Sequence, residues 1–265
     1  LILVHEDLTP FKLVRGASDT AWTISAISFV HVPYHAFTIS TSNPSATLTP
    51  SEVDGNITLT AGSGVFSSGN VNQYIEVNDG LGRARIVSFT SSTVVEAIVE
   101  IPFFDKNSIA SGSWTLETGY EVTWSSTRGY PRTATFHEGR LYLGGTKSRP
   151  NTLFGSRVAR FFDFNPGEGL DDDSIEATLD TDSVNAIIGL FSGRDLQIFT
   201  KGGEFFVPQS SLDPITPSNI VINGSTRRGA KEGIKPVGVE SGTIFIQRSG
   251  KSVREFLFSD VEPVS

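Results

Sequence analysis

The chain has 265 residues, with 21 Lys and Arg against 29 Asp and Glu for a net charge of −8, and it contains neither Cys nor Met. The lack of Cys excludes disulfides, thiolate metal sites and cysteine nucleophiles. The acidic balance argues against a surface that grips nucleic acid through clustered Lys and Arg, and no apolar run approaches the roughly 20 residues of a membrane-spanning helix. With 26 Gly and 13 Pro and no sustained helical period, the composition is that of a turn-rich all-β protein.

The first strand is expected at Leu1–Val4 and the second at Trp22–Phe29, joined by a polar stretch containing Pro10 and Gly16. A chain that opens inside a strand, with no signal-peptide pattern, reads as a fragment whose fold is completed by further sequence. His31 and His35 are four apart, a metal-pair spacing only on a helix; Pro33 lies between them and the neighbours are extended, so they read as structural. Thr41 to Ser51 is a polar linker.

A compact pattern follows. Strands are expected at Ile57–Ala61, Tyr74–Val77, Arg83–Phe89, Thr93–Ile101 and Ser113–Leu116, with Asn78-Asp79-Gly80 as a hairpin turn. This is a small antiparallel barrel or sandwich, expected over 51–118 and inserted into a main domain of 1–50 and 119–265. Its aromatics, Phe66, Tyr74, Phe103, Phe104 and Trp114, read as core, with a contact surface as the alternative.

The main domain resumes near Tyr120. Thr133-Ala134-Thr135-Phe136, the turn His137-Glu138-Gly139 and Arg140-Leu141-Tyr142-Leu143 form a hairpin; Gly144-Gly145-Thr146 breaks it, and Thr152–Ser156 adds a strand. Asp171-Asp172-Asp173 with Glu176 lacks the alternating ligands and central Gly of a calcium loop and reads as a solvated acidic turn. Val184–Leu190, Asp195–Thr200, Glu204–Val207, Thr243–Gln247 and Val253–Phe258 are further strands, with turns at Lys201-Gly202-Gly203 and Glu240-Ser241-Gly242. The segments GRLYLGGT, RDLQIFTKGGEFFV and GTIFIQRSGKSVREFLF share the order strand, glycine turn, strand, at a spacing of roughly fifty residues that fits propeller blades. Three such units and the N-terminal strands do not comfortably close a ring. The basic run Thr226-Arg227-Arg228-Gly229-Ala230-Lys231 suits phosphate contact or an exposed loop, the loop being favoured.

Little here marks an enzyme. There is no Gly-x-Ser-x-Gly elbow, and Gly144-Gly145-Thr146 lacks the Lys and helix of a phosphate loop. His137 is the best candidate for a base, although a hairpin turn favours exposure. A propeller glycosidase would need two carboxylates sharing a pocket. No catalytic, cofactor-binding or metal-binding residue is assigned.

The run GYPRTATFHEGRLYLGGTKSRPNTLFGSRVARFFDF, then DDDSIEATLDTDSVNAI, LQIFTKGGEFFV and ITPSN (Ile215 to Asn219), resembles the tail tubular protein B, or nozzle, family of short-tailed bacteriophages and prophages. The resemblance covers roughly residues 1–40 and 120–258. It implies a β-propeller within a homo-oligomeric, hexameric ring in the virion tail, in contact with other tail proteins, through which DNA is ejected. An acidic wall would let DNA slide without holding it, with Asp171 to Asp173 as the first candidates for a channel face. The insert, through Asn56-Ile57-Thr58-Leu59-Thr60-Ala61, Gly64-Val65-Phe66, Tyr74-Ile75 and Gly112-Ser113-Trp114, is similar to the half-domain preceding the catalytic cysteine of ubiquitin-activating enzymes. Without cysteine, that likeness implies only a small β fold. The alternative function is a virion-associated binding module whose insert grips a host-surface glycan or a neighbouring tail protein.

Overall fold

Strands account for nearly all the regular structure, and a single 3-10 turn at Ser68–Asn70 is the only helical element among the described residues. The computed structural model describes residues 1–77, 80–180, 185–208, 214–240 and 242–257; Asn78, Asp79, Val184, Ser241 and Phe258, named above in turns and strands, lie outside them. The chain forms two units, one of Leu1–Val30, Trp124–Phe164 and Gly169–Ser265, the other of His31–Thr123 with Asn165–Glu168.

The first unit begins with β1 (Ile2–His5), β2 (Leu8–Arg15) and β3 (Trp22–Ala26), which form sheet I. The stretch expected to be a polar connection is therefore a central strand. Pro10 obscures it in the sequence, since proline donates nothing to a ladder. Here it sits where the β1–β2 register slips between Leu3 and His5, a bulge that tolerates the missing donor.

The second unit is one antiparallel sheet of β4 (Tyr34–Ser42), β5 (Leu48–Pro50), β6 (Asn56–Ala61), β7 (Tyr74–Val77), β8 (Arg83–Ser91), β9 (Val94–Ile101) and β10 (Trp114–Val122), in the order β4-β10-β7-β8-β9-β6-β5. Period-two burial fixes its register: Ile57, Leu59 and Ala61 face inward from β6, and Val95, Ala97 and Val99 from β9. These residues meet Leu48, Ile75, Ile86 and Trp114 in one core. Trp114 buries its indole and donates its Nε1–H to the Ala46 carbonyl at 2.8 Å, satisfying its one polar atom. Three register slips between β8 and β9 curl the sheet around that core. The sheet is wider than the 51–118 segment read from the sequence, because β4 lies in a Ser/Thr-rich stretch and β10 runs on to Val122.

Back in the first unit, β11 (Thr133–His137), β12 (Arg140–Gly144), β13 (Thr152–Gly155) and β14 (Ile175–Thr178) make sheet II. Sheet III contains β15 (Ile187–Ser192), β16 (Leu196–Thr200), β17 (Glu204–Val207) and β18 (Asn223–Thr226). Sheet IV contains β19 (Val237–Val239), β20 (Gly242–Ile246) and β21 (Val253–Leu257). Each is an antiparallel meander in chain order, and the leading strands β1, β11 and β15 lie side by side. This is a propeller-like arrangement of blades.

The apolar layers between blades follow from the alternation. Phe29, Trp124, Phe154 and Phe164 pack edge to face beside sheet II, with Trp124 4.8 Å from Phe164 and 5.5 Å from Phe154 between ring centres. Tyr142, Leu153, Ile175, Ile187, Leu196 and Ile198 join sheets II and III. Phe199, Phe245 and Phe256, with Phe191 and Phe206, join sheets III and IV.

Two glycines of sheet II test how tightly the leading strands approach. Gly139 (φ 72°) follows Glu138 (φ 44°) in the two-residue β11–β12 turn, where both central residues need positive φ. A Cβ on Gly139 meets nothing nearer than Val158 at 3.8 Å, whereas one on Gly145 (φ 74°) falls 2.1 Å from the Ile187 carbonyl oxygen. Gly139→Ala is expected to cost about 1 kcal/mol, the left-handed backbone penalty alone. Gly145→Ala is expected to cost at least about 3 kcal/mol, because β15 must also move. Urea denaturation of the two variants checks the contrast.

Candidate functional site

The four blade sheets meet at a chain of charges centred on Arg132. Pro131 precedes it and β11 follows, so the backbone is extended and the guanidinium is held at the head of sheet II. One arm pairs with Glu6, in the β1–β2 turn of sheet I, and the other with Glu232, in the segment leading to sheet IV. Its Nε donates to the Gly145 carbonyl at 3.2 Å. Lys201, from the β16–β17 turn of sheet III, completes the chain with its Nζ 2.9 Å from Glu232. Lys147 of sheet II adds a second tie to Asp7 of sheet I. The side-chain bond to Lys201 holds the Glu232 carboxyl below its usual value, and the nearby charge of Arg132 adds to the effect.

These groups flank a cavity of about 280 Å³ lined by Val4, Glu6, Arg132, Ile188, Glu232 and Lys235 among others. Its chemistry is that of a tie: every nitrogen of Arg132 is committed to a carboxylate or a carbonyl.

His137, the candidate base, is not an exposed turn residue as its hairpin position implied. It is 6% exposed, covered by sheet III, with its Nδ1 2.9 Å from the Ser192 hydroxyl. A serine–histidine pair invites comparison with acyl-transfer enzymes, but here Ser192 bonds Nδ1 and the buried Nε2 has no hydrogen-bond partner among the described residues. The hydrolase arrangement needs serine on one nitrogen and an orienting carboxylate on the other. Glu138, beside His137, instead accepts a hydrogen bond from the Ile215 amide at 3.2 Å.

The acidic turn differs from its expected role as a solvated run. Asp173 is 1% exposed; its carboxylate accepts from the Leu170 amide at 2.9 Å and lies 2.9 Å from Arg157. Arg140, also buried, donates to the carbonyls of Ser156, Asp171 and Asp173. The turn is thus wrapped around two arginines, and of its three aspartates Asp171 and Asp172 are exposed. The signal was available: Arg140 and Arg157 are the cations that a triple-Asp turn beside them would recruit.

The two early histidines part company. His31 is fully buried with Nε2 2.6 Å from Glu100, while His35 stacks on Phe37 in β4 with ring centres 5.7 Å apart. Among the described residues no group of three or more His, Asp or Glu is placed to hold a metal ion, and no helix is long and apolar enough to cross a membrane. Of the insert aromatics, Phe66, Tyr74, Phe103 and Trp114 are core; Phe104 is 88% exposed.

Sequence reading missed a polar cluster in the second unit. Arg83 lies over the Tyr74 ring, 4.3 Å from its centre, with Glu76 at 3.0 Å and Glu117 at 3.3 Å, and donates to the Tyr120 hydroxyl at 3.1 Å. Tyr74 donates to Glu100 at 2.8 Å. Burial pushes the Tyr120 phenol up to about 12. The residues come from β7, β8, β9 and β10, and only the sheet order brings them together. The basic run was seen but not its setting: Arg227 joins Arg248, Asp180, Asn185 and Phe205 around a cleft of about 680 Å³.

No family model matches the chain, and no curated protein matches it. Among solved structures it is similar to the phage phi92 endosialidase, at 10% identity and a TM-score of 0.27, over 90% of this chain and 57% of that one. The chain therefore spans little more than half the length of that protein.

Two consequences are measurable. Arg132→Leu strips two carboxylates and a carbonyl of their shared partner, and is expected to cost about 2–3 kcal/mol. Lys147→Leu breaks a solvent-screened pair and should cost far less; denaturant titration compares them. Burial also holds the His137 imidazole below its usual 6.5, so the unfolded chain takes up a proton first as pH falls. Stability should decline from pH 7 downward through 6.5 and toward the folded-state value. His137→Gln should flatten that part of a melting-temperature profile.

Proposed function

We propose that this chain is a structural part of a phage or prophage tail, forming a section of the nozzle wall through which DNA leaves, and that its role is mechanical rather than catalytic. The observation that supports this reading best is where the motifs of the nozzle resemblance fall. Arg132 of GYPRTATF, Gly145 of LYLGGT and Lys201 of LQIFTKGGEFFV supply three of the groups in the charge chain that ties the sheets. Ile215 of ITPSN is held by Glu138 of FHEG. These motifs lie at interblade ties, which is what a wall under tension requires of them.

On this reading the protein resides in the virion, its partners are other tail proteins and further copies arranged as a ring, and DNA passes without being held. Asp173 is committed to the fold and Asp172, though exposed, lies 3.4 Å from Arg157, which leaves Asp171 as the acid of that turn most open to a channel face.

A second reading has one observation in its favour. Phe104 stands 88% exposed beside the buried Phe103, with Val53 and Leu81 also exposed in the same unit. Exposed aromatic and aliphatic side chains at loop tips are the makings of a contact surface for a glycan or neighbouring protein.

Negative-stain imaging of the full-length protein, alone and on assembled tails, tests the first reading. Rings or tail-tip rings with a hole wide enough for duplex DNA are expected. A protein found away from the tail axis, with saccharide binding that Phe104→Ala abolishes, would replace the wall with the binding module.

A further inference from the structure

The basic run of the sequence lies on the cleft of about 680 Å³ beside sheet III. Two guanidiniums reach that cleft from different blades, Arg227 just after β18 and Arg248 in the β20–β21 turn, and both are exposed. Among the described residues neither side chain has a hydrogen-bond or ion-pair partner. This sets them apart from Arg132, Arg140, Arg149 and Arg157, each committed to carboxylates or carbonyls of the fold.

Their backbones are nevertheless fixed. Glu204, fully buried, accepts from the Thr226 hydroxyl and from the Arg228 amide at 3.2 Å, which clamps the residues on either side of Arg227. The Arg248 amide donates to the Gly229 carbonyl at 2.8 Å and so ties the second arginine to the same loop. A Cβ on Gly229 (φ 71°) would collide with the Lys201 carbonyl and fall 3.2 Å from Arg248 Cδ, so only glycine lets the two turns lie this close. Across the cleft, a Cβ on Gly202 would collide with Asn185 Oδ1, so that amide is seated against bare backbone. An ordered loop that presents unpaired cations to a cavity meets the first requirement of a preorganised anion site.

We propose that this cleft binds an acidic saccharide, its carboxylate taken by Arg227 and Arg248, its hydroxyls by Asp180, Asn185 and Ser225, and one sugar face set on Phe205. The lining decides the class. Two unpaired guanidiniums call for an anion, and their planar forks suit a carboxylate or a phosphate. Asp180, in the same cleft, repels a ligand that is charged throughout but accepts hydrogen bonds from hydroxyls, as the Asn185 and Ser225 oxygens also do. Phe205 adds an apolar surface that a bare phosphate cannot use. A single carboxylate on a hydroxyl-rich ring meets all of these groups at once. The volume lies within the roughly 300–1,000 Å³ of small-molecule sites. Asp180 is the one carboxylate among the described lining residues, whereas glycoside hydrolysis uses a pair, so the site retains its ligand rather than cleaving it.

The inference goes beyond the tail-wall reading and does not rest on it, since binding is read on the chain alone. In a nozzle wall the cleft belongs to the outer side, because its cations would retain the phosphates of passing DNA.

Isothermal titration of the full chain with cellobiouronic acid, one uronate joined to one neutral glucose, tests the proposal. Saturable binding with a Kd of about 0.1–1 mM is expected. Cellobiose, which keeps the ring and hydroxyls but lacks the charge, should bind at least about tenfold more weakly. Arg227→Ala and Arg248→Ala should each weaken binding of the acid at least about tenfold, with circular dichroism and melting temperature unchanged. Phe104→Ala should leave binding as it is, which separates this cleft from the contact surface of the other unit. Failure to saturate at about 10 mM ligand overturns the proposal. So does binding that neither arginine variant weakens, or inorganic phosphate that competes with equal affinity.

Discussion

Arg132 is the constraint on which the first unit depends. Blade sheets stacked through apolar layers are free to slide or splay at their edges, because hydrophobic contact is non-directional. A guanidinium is directional: its planar fork fixes where each carboxylate sits. By engaging Glu6, Gly145 and Glu232 at once, with Lys201 on the far side of Glu232, it sets the relative position of four sheets from one end. The cost of desolvating such a group is offset because each of its three nitrogens has an acceptor.

The fold was legible where side-chain periodicity is strong and turns are explicit. Val94–Ile101, with buried residues alternating along one face, and the Glu138-Gly139 turn, with positive φ at both residues, are written in the sequence almost without ambiguity. β2 was not, because Pro10 is a strand breaker everywhere except at a bulge, and a bulge is a property of two strands rather than one. β4 was missed for a related reason. Its alternation is of Phe37 and Ile39 against Ser and Thr at a sheet edge, where burial does not enforce a pattern.

Side-chain roles were harder to read than strands, and for one reason: they depend on what the next sheet covers. A histidine read as part of a hairpin turn is expected to be solvated, yet His137 is the last residue of β11 and is buried because sheet III lies over it and offers Ser192. Asp173 looked like one acid among several until Arg157 and the Leu170 amide claimed it. Arg83 gathers two tyrosines and three carboxylates from four strands that are scattered in sequence. Local pattern predicts which way a residue points, and sheet order decides what it meets.

The same distinction governs how the net charge of −8 is to be used. Counted along the chain, it describes an acidic protein. In the structure, Glu100, Asp173 and Glu204 are buried and serve hydrogen bonds, so they add little to the field outside. Arg227, Arg228, Lys231, Arg248 and Lys251, by contrast, are all exposed around the end of sheet III and the turns of sheet IV. The surface is therefore more polarised than the total implies, with cations concentrated toward the later sheets and the acidic turn carried by sheet II. For a wall that DNA must pass without sticking, the sign of the whole chain is then a weak guide. What matters is which sheet edge is turned to the passage, because an acidic edge repels phosphate and a basic one retains it. The nozzle reading thus carries a geometric condition beyond its charge: the end of the array bearing Arg227 and Arg248 has to face away from the DNA.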